Sequence, residues 1–149
     1  MKTARLLTAT VLACATVCGL PALAQDHGAG EEWETLYDEV LTLQNTGQYG
    51  RGVVVAQKAL AVAEQNVGAN HPDTATSLEY LALFYRAQAE YAKAEPLYKR
   101  ALAIKEKAYG PDHPSVAKSL ENLAALYRKS DRDSQAVELS ERAAAILAK

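Results

Sequence analysis

A block of 42 residues, running from Asp73 to Pro114, recurs on both sides of itself, and this periodicity restricts the chain more than any other feature. Shifted forward by one period, Leu78, Leu81, Ala82 and Tyr85 fall on Leu120, Leu123, Ala124 and Tyr127, and Ala94, Leu97, Ala101 and Ile104 fall on Ala136, Leu139, Ala143 and Ile146. Shifted back, Leu78, Tyr91, Ala101, Leu102 and Ile104 fall on Leu36, Tyr49, Ala59, Leu60 and Val62. A fixed period of this size marks a repeat array, in which each unit buries its apolar face only against its neighbours.

Within each period the apolar spacing is helical. Leu36, Val40 and Leu43 recur at i, i+4 and i+7, which places them on one face of a helix. The pattern predicts three helix pairs, at about 32–45 and 48–65, 72–87 and 90–108, and 114–129 and 133–149. Pro72 and Pro114 suit a first helical position, where the missing N–H has no partner to lose, and Gly110 suits a C-terminal cap. Asp131 or Asp133 is expected to cap the last helix. Gly47, Gly50 and Gly52 crowd the turn and start of the second helix, and an interior glycine costs about 1 kcal/mol relative to alanine, so the first repeat is expected to be the least stable. Trp33, the only tryptophan, is expected to close the N-terminal end of the core.

Ala94, Tyr98 and Ala101, preceded by Leu81, Ala82 and Tyr85, resemble the signature positions of a tetratricopeptide repeat. Gly110-Pro111-Asp112-His113-Pro114 followed by Ser119 to Tyr127 resembles, more narrowly, the 42-residue repeats of kinesin light chain type. The likeness covers about residues 31–149, with repeats at about 31–72, 73–114 and 115–149. It departs from the pattern at Ala89, where the family has Gly, at Glu39, on a normally apolar position, and at Gly52, which replaces a packing Ala. The resemblance implies an all-α fold, a right-handed α-solenoid of three antiparallel helix pairs, with a concave surface lined by the first helix of each pair.

Ahead of the repeats, Lys2 and Arg5 precede an uncharged run from Leu6 to Ala24 that is broken at Pro21 and ends in Ala22-Leu23-Ala24. This is the three-part pattern of a secretory signal peptide over residues 1–24. It implies a bacterial periplasmic or secreted protein, with no membrane attachment once the segment is removed. Val11-Leu12-Ala13-Cys14 is a loose lipobox and gives a weaker lipoprotein alternative. Cys14 and Cys18 are the only cysteines, so the exported chain would hold no disulfide. Residues 25–31, with Gly28 and Gly30, read as a flexible tether to a repeat domain spanning 32–149. The net charge of −2 becomes −4 when Lys2 and Arg5 are removed. Without a basic block the chain is a poor nucleic-acid ligand, because that affinity rests on neutralised phosphates.

Catalytic and cofactor motifs are missing from the sequence: no phosphate loop, paired-cysteine motif, H-E-x-x-H or G-x-S-x-G occurs, and no enzyme, cofactor or metal is expected. His71 and His113 stand one period apart in equivalent loops, which argues for a role in loop geometry. Tyr85, Tyr91, Tyr98 and Tyr127 fall on packing positions, whereas Tyr37 and Tyr80 fall off them and either face a ligand or shield the side of the stack.

The expected function is an exported interaction module that binds a peptide segment or helix of a protein partner in the groove. Glu79, Leu83 and Arg86 are one period from Glu121, Ala125 and Arg128, and all six are expected on the concave side. By the resemblance, Asn122 would bond a peptide backbone. Two arginines and an amide suit a peptide with acidic character or a free carboxylate. The alternative is a structural subunit that self-assembles through the ends of its stack. The run from Ala143 to Ala148 is apolar around much of the last helix, so Ile146 and Leu147 are expected to stay open and to form a homodimer through that helix.

Overall fold

A computed structural model of the chain describes residues 29–149, and those residues form six helices without a strand. The helices are α1 (Glu31–Asn45), α2 (Tyr49–Asn66), α3 (Pro72–Ala87), α4 (Tyr91–Tyr109), α5 (Pro114–Lys129) and α6 (Asp133–Leu147). They pair as α1·α2, α3·α4 and α5·α6, and successive pairs stack through α2·α3 and α4·α5. The signal-peptide and cysteine expectations lie outside the described residues.

The turn inside each pair is built three times in the same way. Gly47, Ala89 and Asp131, one period apart, have φ of 68°, 60° and 58°. Just beyond them the N–H groups of Gln48, Glu90 and Arg132 each reach back 2.9 Å to the carbonyls of Leu43, Tyr85 and Tyr127. This six-to-one bond closes the helix end, and the left-handed residue favours glycine. Ala89 holds that conformation with a Cβ, at a cost of about 1–2 kcal/mol. Asp131 is thus a turn residue, and neither it nor Asp133 caps α6, whose N-cap is Arg132 without a side-chain bond. A negatively charged cap is not needed where the preceding turn already fixes the entry.

The loops between pairs also repeat. Gly68 and Gly110 have φ of 95° and 88°. His71 and His113 are the N-caps of α3 and α5, each ring accepting at Nδ1 from the N–H two residues on, at 3.2 and 3.1 Å. With proline at N1, this is the first free donor of the helix, and the histidine satisfies it. α4 runs through Pro96 without interruption.

Two sequence readings are corrected at the N-terminal end. Ala29 is not part of a flexible tether: it is fully buried, its N–H donating to Asp73 Oδ2 at 2.8 Å and its carbonyl accepting from Asn66 Nδ2 at 2.7 Å. Trp33 does not close the end of the core. It stacks on Tyr37 at 5.0 Å and donates to Ser77 Oγ at 2.7 Å, so it joins α1 to α3.

Close packing explains Gly52. A Cβ there would lie 2.5 Å from the Phe84 ring. One period later the same pair of positions holds Ala94 and Leu126, both fully buried in one cluster. A larger ring in one repeat is therefore matched by a smaller partner in the helix against it. Alanine favours helix over glycine by about 1 kcal/mol, but overpacking a tight contact costs about 1–3 kcal/mol, and the steric term wins here. Gly52→Ala should lower the unfolding free energy measured by urea titration, and Phe84→Leu in the same chain should restore most of the loss.

Polar bonds fix the seam between the last two pairs. Glu95 of α4 accepts from the Arg132 guanidinium at 2.8 Å and the Tyr127 hydroxyl at 3.0 Å, and meets Lys99 at 2.7 Å. Arg132 first, then Lys99, hold its carboxyl down at about 2 from the usual 4.5. An acid whose folded pKa is depressed contributes stability above its unfolded value and loses that contribution as pH falls through the folded one. Stability should therefore decline between pH 4.5 and about 2, and Glu95→Gln should flatten that part of a stability-versus-pH curve.

Candidate functional site

The curvature of the stack follows from which helices touch. α1 packs on α3 and α3 on α5, whereas α2, α4 and α6 make no such packing with one another among the described residues. The outer helices are bridged by long ion pairs instead, Glu64 to Arg100 and Glu106 to Arg142, each at 2.6 Å. The first helices are therefore the inner row, and their free sides form a concave face.

Two clefts open on that face. One, of about 290 Å3, is lined by Tyr37 and Gln44 of α1, Glu79, Tyr80 and Leu83 of α3, and Lys118 and Asn122 of α5. The other, of about 460 Å3, lies towards the turns and is lined by Tyr49, Leu83, Arg86, Tyr91 and Lys129 among others. Leu83 belongs to both, so the two clefts share a wall.

The sequence-derived residues divide by what they already do. Leu83 and Asn122 face the first cleft and Arg86 the second. Arg86 donates to the Asn122 carbonyl at 3.3 Å and lies over the Tyr98 ring at 5.9 Å. These contacts leave its charge without an acidic partner among the described residues. Ala125 is half-buried. Arg128 bonds Ser140 and stands 4.0 Å from the Glu121 carboxylate. Both groups of that pair are largely exposed, so it contributes little.

Glu79 is at the floor of the cleft but is not free to bind a ligand. Its carboxylate is bonded to Lys105 Nζ at 2.7 Å and to the Ser119 hydroxyl, and the residue is 7% exposed. Glu121, one period on, is exposed, so the two glutamates are not equivalent in environment. The reason is Lys105, whose ammonium lies under α3 and α5, where the next period places Leu147.

Tyr37 and Tyr80 turn out to form the aromatic wall. Their rings meet edge to face at 5.4 Å with the hydroxyls 3.3 Å apart. Burial, then the bond to Tyr37, pushes the Tyr80 hydroxyl well above the ordinary tyrosine range. It remains neutral and hydrogen-bonding at any physiological pH. Lys118, Lys129, Tyr49 and Tyr91 were also not singled out by the sequence as site residues. Lys118 and Lys129 have no ion pair among the described residues.

Ile146 is corrected. It is 6% exposed and packs with Val116, Ala117, Leu120 and Ala143, repeating the place of Ile104, while Leu147 is 66% exposed. Among the described residues no group of three metal-ligating side chains converges, and no helix is long and apolar enough to cross a membrane.

A tetratricopeptide repeat family model matches residues 34–107 and again 77–149. No curated protein matches the chain in sequence. Among solved structures, a putative kinesin light chain from Podosopora anserina with nearly identical TPR-like repeats is 27% identical, with a TM-score of 0.73, and a variant of that protein is 27% identical with a TM-score of 0.72. The match covers 83% of this chain and 58% and 57% of theirs. BtubC (BKLC) from P. vanneervenii is similar in fold, at 19% identity and a TM-score of 0.71, over 78% of this chain and 46% of that one. The chain thus spans about half the length of these proteins.

Removing Lys105 would leave the Glu79 carboxylate buried without its partner, and breaking such a pair costs about 3–5 kcal/mol. Lys105→Met should therefore lower the urea midpoint steeply, and Glu79→Leu added to it should recover most of the loss.

Proposed function

Since the chain belongs to the tetratricopeptide repeat family, whose repeats generally mediate protein–protein interaction, we propose that this protein holds an extended segment of a partner protein along the inner face of α1, α3 and α5. The observation that carries this reading is the set of groups left open there. The Asn122 side chain, the Arg86 guanidinium and the Lys118 ammonium border clefts whose other wall is Tyr37, Tyr80 and Leu83. The clefts thus combine apolar area with a few polar groups that fix orientation, which is what a peptide groove requires. Glu79 is neutralised by Lys105, so cations without acidic partners outnumber free acids at the floor. The segment recognised would carry carboxylates, from acidic side chains or from a chain terminus.

The site of action proposed is outside the cytoplasm, supported by the charged start, apolar core and Ala22-Leu23-Ala24 end of residues 1–24. The mature chain would begin at Gln25 and leave four residues before the anchored Ala29.

Selection of a random peptide library on the immobilised protein tests the groove. Recovered sequences should be enriched in Asp and Glu, and Arg86→Ala with Lys118→Ala should weaken them at least about tenfold, or about 1.4 kcal/mol, with little change in melting temperature. Binding that is indifferent to both substitutions would remove the groove from the reading. N-terminal sequencing of the exported protein should start at Gln25, and a lipid-modified species retaining Cys14 would refute that maturation.

A further inference from the structure

The Tyr98 side chain starts on α4, in the outer row, and its ring packs with Ala82 of α3 and with Leu123 and Ala124 of α5. It therefore enters the seam between those two helices and ends beneath the inner face. The residue is 1% exposed, and its hydroxyl is the one buried side-chain polar atom without a hydrogen-bond partner among the described residues. Two charged groups of α3, Arg86 and Glu79, act on that hydroxyl, and neither bonds it. The Glu79 carboxylate is committed to Lys105 and Ser119. The Arg86 guanidinium only donates and cannot take the phenol's proton. Burial keeps the phenol protonated, so a donor is held ready under the groove.

The other repeats do not share this arrangement. One period after Arg86 and Tyr98 stand Arg128 and Ser140, where the guanidinium donates directly to the hydroxyl oxygen. One period before them stand Gln44 and Ala56, without a hydroxyl. Only the second repeat places an arginine without an acidic partner among the described residues above a hydroxyl without an acceptor. Arg86 is also loosely held. Its bond to the Asn122 carbonyl is 3.3 Å long, beyond the roughly 2.7–3.2 Å of ordinary N–H···O bonds. Its guanidinium is 5.9 Å from the Tyr98 ring centre, at the outer limit of a cation–π contact. Arg86 lines the larger cleft and Asn122 the smaller, so this side chain spans the boundary between them. A carboxylate in the groove offers the guanidinium a stronger, charge-assisted bond than the carbonyl does.

We propose that Tyr98 is a specificity-determining residue of the groove: a carboxylate of the bound segment draws Arg86 off the Asn122 carbonyl and accepts one bond from the guanidinium and one from the uncovered Tyr98 hydroxyl. This role rests on the inner face being a peptide groove. A carboxylate supplies two acceptor oxygens for the two donors, whereas an amide supplies one and turns its NH2 group towards a donor. The pair therefore selects acid over amide at one position of the segment.

The probe is the tightest-binding synthetic peptide from the library selection, with copies in which each carboxylate in turn is replaced by its amide. Tyr98→Phe should weaken the parent peptide about tenfold. Its melting temperature should be unchanged or higher, because the hydroxyl removed bonds nothing in the free protein. One amide copy should bind Tyr98→Phe and wild type equally, which identifies the carboxylate that the phenol holds. Tyr109→Phe, at a tyrosine of α4 that lines neither cleft, should leave the affinity unchanged. If Arg86→Ala weakens the parent peptide and Tyr98→Phe does not, or if Tyr98→Phe costs the same factor against every amide copy, the role of Tyr98 is refuted while the groove stands. A lower melting temperature for Tyr98→Phe would mean that the hydroxyl is already bonded in the free protein, and would refute it as well. If no selected peptide responds to Arg86→Ala or Lys118→Ala, the groove and the role of Tyr98 fall together.

Discussion

Helices of 15 to 19 residues are marginal in water by themselves, and each one here buries a stripe that only another helix can cover. Stability is therefore held in the seams. The core accordingly divides into four clusters that follow the neighbouring helix pairs along the stack and have no single centre. Leu60 and Leu97 flank the clusters of both the first and second pairs, and Leu102 and Leu139 those of the second and third. These shared side chains couple the repeats. Because burial at a seam depends on the shapes of both partners, the substitution of Phe84 for a leucine-like residue had to be answered in α2, which is why the glycine there is a fitted residue and not a defect.

The same nearest-neighbour logic sets the character of the inner face. The first helices lie close enough to touch, so polar side chains between them find partners and are consumed, as Ser77 is by Trp33 and Glu79 by Ser119 and Lys105. Those one position around the helix remain unspent, as Lys118 and the amide of Asn122 are. A groove on rigid helices also needs little ordering when a ligand arrives, which lowers the entropic cost of association. The Tyr98 hydroxyl is the one buried side-chain polar atom without a partner among the described residues, and burial pushes it up to about 12. It lies beneath Arg86, and no contact among the described residues explains its retention over phenylalanine.

The fold was legible because periodicity and apolar spacing are carried by the same residues. Both ends of α3 and α5, and most ends of the other helices, fall within a residue of the sequence expectation, fixed by Pro72, Pro114 and the turns. Site residues were harder to read, since alignment by period assumes equivalent surroundings. Glu79 and Glu121 are one period apart, yet only the first has a lysine beneath it. Tyr37 and Tyr80 are not one period apart at all, and their pairing comes from the crossing of α1 over α3. The signal available was that both fall off the packing positions. Leu147 is exposed, but Ile146 follows the periodic position of Ile104 inward, and the period itself contained that information.

Among the described helices, the first and the last carry different side chains at the positions that face away from their neighbours. At α1 the positions equivalent to Leu81 and Phe84 of α3 carry Glu39 and Thr42, both exposed. Five carboxylates, Glu31, Glu32, Glu34, Asp38 and Glu39, are exposed on this helix, and none is in an ion pair among the described residues. The first three sit in its opening turn, where the helix dipole favours negative charge by about 0.3–1 kcal/mol each. Asp38 and Glu39 lie beyond that turn and gain little from it. At α6 the corresponding choice is reversed, with Val137 and Leu147 in place of a glutamate and a lysine.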